Sequence, residues 1–162
     1  VYTAIEMVGA IMGKDAEGKD LIAEMKNGFE EVQEGLPEDT GEQTVYFEVS
    51  PLEYGLWAAG KDTFMDEIAQ MLNLKNIFDD VEGWAEVSEE QVIERNPDYI
   101  VTTTMYFGEG PKPDEEVRAR VGWADMTAVK EKQVLNADND EITRPGPRLV
   151  DAAKQMKEFV YG

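Results

Sequence analysis

Residues 84–98 read Trp84-Ala85-Glu86-Val87-Ser88-Glu89-Glu90-Gln91-Val92-Ile93-Glu94-Arg95-Asn96-Pro97-Asp98 and run directly into Tyr99-Ile100-Val101-Thr102-Thr103. The stretch holds a complete helix with both ends marked. Ser88 and Gln91 form a capping box: the hydroxyl accepts from the N3 amide and the Gln side chain reaches back to the amide of the cap. Val87 and Val92 stand at the staple positions around it. Glu89 and Glu90 fall in the first turn, where the helix dipole favours negative charge by ~0.3–1 kcal/mol each. Asn96-Pro97 ends the helix, because the residue before a proline is driven out of the helical region. Asp98–Thr103 is then β-branched and aromatic, the composition of a strand.

The same pattern recurs on either side. Thr44-Val45-Tyr46-Phe47-Glu48-Val49 is a second strand of this style. Between the two, a loop with Pro51, Gly55 and Gly60 leads to a helix carrying Phe64, Ile68, Met71 and Leu72, which Asp62 or Thr63 can cap. Downstream, a loop with Gly108, Gly110, Pro111 and Pro113 precedes a short helix supported by Val117 and Val121, then a short strand at Gln133–Asn136. Leu149, Ala152, Ala153, Met156 and Phe159 form the apolar stripe of a last helix, its start marked by Pro145 and Pro147. Strands alternating with helices predict an α/β, Rossmann-like arrangement: a mainly parallel sheet of about four strands with helices on both faces. Two helices precede it, one with Ile5, Val8, Ile11 and Met12 up to Gly13, and a long one from near Asp15 to near Glu34. The polar run Pro37–Glu42 reads as a linker, dividing the chain into a helical segment 1–36 and an α/β unit 37–162.

The chain has 162 residues, with 35 acidic and 15 basic side chains and a net charge of −20. That field repels polyphosphate and anionic headgroups, so nucleic acid and membrane surfaces are poor partners. With no cysteine and no histidine, thiolate zinc sites, histidine-dependent triads and His-ligated haem are excluded for this chain. No apolar run approaches the ~18 residues of a spanning helix. The start, Val1-Tyr2-Thr3-Ala4-Ile5, has neither an initiating Met nor a basic leader, and the chain is expected to be a piece of a longer protein.

Motifs for catalysis fail on counting. Gly9-Ala10-Ile11-Met12-Gly13-Lys14 has three residues between its glycines where a phosphate loop needs four, and Asp15 follows where Ser or Thr belongs. Asn136-Ala137-Asp138-Asn139-Asp140 lacks the turn glycine and the final Glu of a calcium loop, so it reads as an acidic surface loop. No Gly-x-Gly-x-x-Gly follows either main strand. The reading assigns no catalytic residue, no metal ligand and no cofactor.

Local physics explains most of residues 84–98 but not Trp84, a large amphipathic ring placed in a loop before a helix. This run, with Gly60-Lys61-Asp62-Thr63-Phe64, Asn76-Ile77-Phe78 and Arg144-Pro145-Gly146-Pro147-Arg148-Leu149-Val150, resembles the periplasmic binding proteins of iron-siderophore, haem and cobalamin import. The resemblance covers the C-terminal part of such proteins, so residues 1–36 would include the interlobe helix and 37–162 the C-terminal lobe, with the N-terminal lobe absent from this chain. It implies a non-catalytic, monomeric receptor outside the cytoplasm, in the periplasm or as a cell-surface lipoprotein. Such a receptor captures a ferric siderophore or corrinoid and delivers it to an ABC permease. It meets the membrane only through that permease or a lipid anchor.

The resemblance also assigns roles. Trp84 would stack on the ligand, Trp57 would face the same cleft, and Glu90 would be the docking carboxylate. Arg144 would neutralise an anionic chelate, unless it simply pairs with Asp138, Asp140 or Glu141. Lys61, Tyr54 and Tyr106 are further ligand-contact candidates, the two tyrosines because loops after strands are where α/β sheets place ligands. Packing alone accounts for a tryptophan as readily, and the helix dipole for Glu90. The competing reading is a Rossmann-like enzyme or nucleotide-binding domain, since fold does not fix function.

Overall fold

A computed structural model describes residues 1–37 and 43–162. Of the predicted linker, residues 37–42, all but Pro37 lie outside the described residues. Helix α1 (Tyr2–Met12) stops at Gly13, whose φ of 66° is a left-handed cap that glycine adopts without penalty. Helix α2 (Asp15–Gln33) follows. Of the periodic apolar residues of α1, Val8, Ile11 and Met12 stay exposed, as does Met7. Helix α2 buries Ile22, Met25 and Val32 and crosses the last helix, α8 (Leu149–Tyr161), at Gly28. There a Cβ would stand 2.5 Å from Val150 Cγ1, so glycine permits the close approach.

Six strands form one sheet in the order β4 (Trp84–Glu86), β2 (Trp57–Ala59), β1 (Thr44–Ser50), β5 (Tyr99–Thr102), β6 (Val134–Asn136), with β3 (Lys75–Asn76) also on β1. Strands β3, β1, β5 and β6 are mutually parallel, giving the expected parallel core. The other two are antiparallel additions on one edge. These were expected to be loop. Each is three residues long and bounded by Gly55, Gly60 or Gly83, too short to show a period in sequence. Trp57 and Trp84 therefore stand on strands, not in loops.

Successive residues of β1 and β5 point to opposite faces. Val45, Phe47, Tyr99 and Val101 pack with α2, α8 and α3 (Phe64–Met71); Tyr46 and Ile100 pack with Val92 of α4 (Glu89–Arg95), Val117 of α5 (Pro113–Ala119) and Ala128 of α6 (Thr127–Lys130). Helices thus cover both faces. Val121 was expected in α5 but lies beyond its end and is 96% exposed. The stretch read as an acidic loop contains a short helix, α7 (Asn139–Ile142), which Asp138 caps by accepting from the Glu141 amide.

Candidate functional site at the carboxyl edge of the sheet

Because β1, β5 and β6 are parallel neighbours, the segments leaving their carboxyl ends converge on one edge, where such sheets bind ligands. From β1 comes Pro51 and a 3-10 turn, Leu52–Tyr54. From β5 comes Thr103–Gly110, and from β6 comes α7. Two open clefts flank the segment Thr104–Phe107. One, of about 480 Å³, lies toward Asn136 and Asp140; the other, of about 460 Å³, lies toward Pro51–Glu53 and Glu116. Tyr106 lines both, as do Met105 and Phe107, the last 85% exposed. The segment is anchored at its base: the Thr103 amide donates to the Glu48 carbonyl at 3.0 Å, and Asn139 Nδ2 donates to the Thr103 carbonyl at 2.6 Å.

Beneath this edge lies a buried ion network. Arg120 donates to both carboxylate oxygens of Glu48, at 2.6 and 2.9 Å, and to both of Glu116, at 3.0 and 2.7 Å. Its guanidinium lies 4.5 Å from the ring centroid of Trp123, whose Nε1 donates to Glu89 at 2.8 Å. Burial opposes the charge on Arg120, but the bonds to Glu48 and Glu116 outweigh it and raise its pKa. Burial pushes the Glu48 carboxyl up against the pull of that guanidinium. The neighbouring Tyr46 hydroxyl is buried without a partner among the described residues, and burial raises its pKa too.

Trp57, the first residue of β2, pairs with Ser50 at the same carboxyl edge and is 40% exposed. Trp84 stands opposite Ala59 on β4, so the two indoles share one face of the β2–β4 ladder on a diagonal. Trp84 is 44% exposed, and its ring leans on Phe64 with centroids 5.4 Å apart. Lys61 lies beyond the far end of β2, exposed, with its backbone bonded to Val81 and Gly83. Tyr54 is exposed on the 3-10 turn. Arg144 is exposed and pairs with Asp140 at 2.8 Å, as one of the two sequence readings had it. Of the expected contact residues only Tyr106 lines the two clefts; Tyr54, Trp57, Trp84, Lys61 and Arg144 line neither. Met105 and Phe107, which the sequence does not single out, flank Tyr106 as exposed apolar side chains, while the Tyr106 hydroxyl donates to the Gly110 carbonyl at 3.4 Å within the same loop.

Glu90 is fully exposed in the first turn of α4. Its own backbone amide and the Ser88 hydroxyl lower its pKa. The predicted capping box is present, with Gln91 N–Ser88 Oγ at 3.3 Å and Ser88 N–Gln91 Oε1 at 2.9 Å.

A family model described as periplasmic binding protein matches residues 1–141. The chain belongs to that family. It is 36% identical, over 99% of its length and 50% of the relative's, to an uncharacterized ABC transporter substrate-binding lipoprotein of Bacillus subtilis, YvrC. A vitamin B12-binding protein of Pectobacterium carotovorum is 31% identical over 62% of this chain and 33% of its own length. An Fe(3+)-citrate-binding protein of B. subtilis, YfmC, is 27% identical over 85% of this chain and 42% of its own. Among solved structures, a possible iron-binding periplasmic solute-binding protein from Staphylococcus epidermidis superposes with a TM-score of 0.85 at 33% identity, covering 99% of this chain and 61% of that one. The chain spans half or less of the length of these curated relatives.

Proposed function

We propose that this chain is the C-terminal lobe, with the interlobe helix, of an extracytoplasmic ABC-importer receptor that captures a ferric siderophore, corrinoid or related chelate. The family match over residues 1–141 carries this reading. The carboxyl edge supports it: Tyr54, Trp57, Tyr106 and Phe107 offer exposed rings for stacking on a flat or bulky chelate. Trp84 and Lys61 border the β2–β4 edge, and Arg144 stands beside the cleft that Asp140 lines. Family membership favours this over the enzyme or nucleotide-binding reading.

Two further parts belong to the proposal. The exposed apolar face of α1 suits burial against the other lobe of a complete receptor. Glu90 would be the docking carboxylate that meets a permease cation, supported by its exposure and by its having no ion pair among the described residues; receptor and lipid bilayer would meet only through such a contact or an anchor. Among the described residues no helix is long and apolar enough to cross a membrane.

The test is co-elution: the chain is mixed with cyanocobalamin, ferrioxamine B or haemin and followed by visible absorbance on gel filtration. At least one chelate co-elutes with the chain, and Trp57→Ala or Tyr106→Ala reduces the bound fraction. Failure of every chelate to co-elute, with the chain folded by circular dichroism, overturns the reading.

A further inference from the structure

We infer that the chelate this lobe receives carries no net negative charge. The inference rests on the proposed function and narrows it to a substrate class. It comes from the charge lining the two clefts that flank Thr104–Phe107. Five carboxylates line them, Glu53, Glu109, Glu116, Asp138 and Asp140, and no Lys or Arg lines either. Two of the five are paired: Asp140 with Arg144 at 2.8 Å, and Glu116 with the buried Arg120, which also holds Glu48. Glu53, Glu109 and Asp138 have no ion pair among the described residues. Glu86 adds a sixth carboxylate at the rim, directly opposite Trp57.

A ligand entering here meets aromatic and thioether surface from Met105, Tyr106 and Phe107, framed by negative charge. That combination attracts a neutral or cationic chelate, whose polarisable body stacks on the rings, and repels a tricarboxylate or catecholate complex. Arg144 is paired with Asp140, so its charge offsets one of the lining carboxylates and leaves Glu53, Glu109 and Asp138 as the excess.

The test uses two matched series that differ only in charge: ferrioxamine B with its acetylated and succinylated derivatives, and cyanocobalamin with its monocarboxylate. Binding to the chain is read by quenching of tryptophan fluorescence at low and high ionic strength. Each step toward negative charge weakens binding ~3- to 10-fold at low salt, and the difference collapses at high salt, where exposed charges are screened. Glu53→Gln/Glu109→Gln narrows the gap between neutral and negative members. Equal or tighter binding of the negative members overturns the charge inference and leaves the chelate-receptor reading standing. No binding by any member of either series overturns both.

Discussion

Arg120 and Glu48 meet on the face of the sheet that Tyr46 and Ile100 share, joined by two hydrogen bonds of 2.6 and 2.9 Å with both side chains almost fully buried. The pair ties α5 to β1 beneath the loop that carries Tyr106 and Phe107. Removing one partner of such a pair strands a charge in the core, at a cost of ~3–5 kcal/mol. Arg120→Met is therefore expected to lose about that much in urea denaturation, while Glu48→Met/Arg120→Met recovers most of it. A loss below about 1 kcal/mol for the single variant would show that the charge finds water or another partner.

Gly60 sets the geometry of the tryptophan edge. Its amide donates to the Gly83 carbonyl at 2.8 Å, and a Cβ on it would stand 2.2 Å from the Val81 carbonyl oxygen. Because that oxygen belongs to backbone, Gly60→Ala cannot be absorbed by a side-chain rotation. The substitution is expected to cost at least ~2 kcal/mol, at the upper range of overpacking, and to alter the emission of Trp84, which sits on the displaced strand. Unchanged stability and emission would contradict this.

These details bear on what was legible in the sequence. The helix from Ser88 and the strands at Thr44 and Asp98 were readable because caps, a proline stop and β-branched runs are local signals. The edge strands were not, since three residues between glycines carry no period and form only when β1 offers a partner. Several motif residues that the resemblance tied to the family also have a folding role. Gly60 permits a close backbone approach, Asp62 takes a φ of 65°, and Thr63 caps α3. Asn76 bonds Ala59, Asp66 and Phe78 from a buried position. The Glu48–Arg120 pair was invisible because 72 residues separate its members. At the site, Tyr106 was legible from its loop. For Arg144 the sequence offers three nearby carboxylates, and the turn of α7 brings Asp140 to it.

Glu90 separates a folding role from a docking role. Its pKa lies below the ordinary 4.5 in the folded chain, because its own amide and the Ser88 hydroxyl stabilise the charge. A lowered carboxyl contributes stability above its unfolded pKa and loses it as pH falls through the folded value. Wild type should therefore exceed Glu90→Gln in stability above about pH 4.5, with the two converging in more acidic solution. A constant difference at all pH values would contradict that origin.

Docking is tested by charge reversal instead. Glu90→Arg in a complete receptor should leave chelate affinity intact and suppress uptake, since like charges meeting at an interface cost several kcal/mol. Normal uptake removes docking from the account of this residue.

The most direct measurement of the central claim is a two-dimensional NMR titration of the chain with cyanocobalamin and with the gallium(III) complex of desferrioxamine B, both diamagnetic. The chain has three indole N–H groups. That of Trp123 is bonded to Glu89 in the interior and serves as the internal control. Binding at the carboxyl edge predicts that the Trp57 indole and the amides of Tyr54 and Met105–Phe107 shift while the Trp123 indole stays in place. Shifts confined to α1 and α2, or none with either ligand, would contradict it.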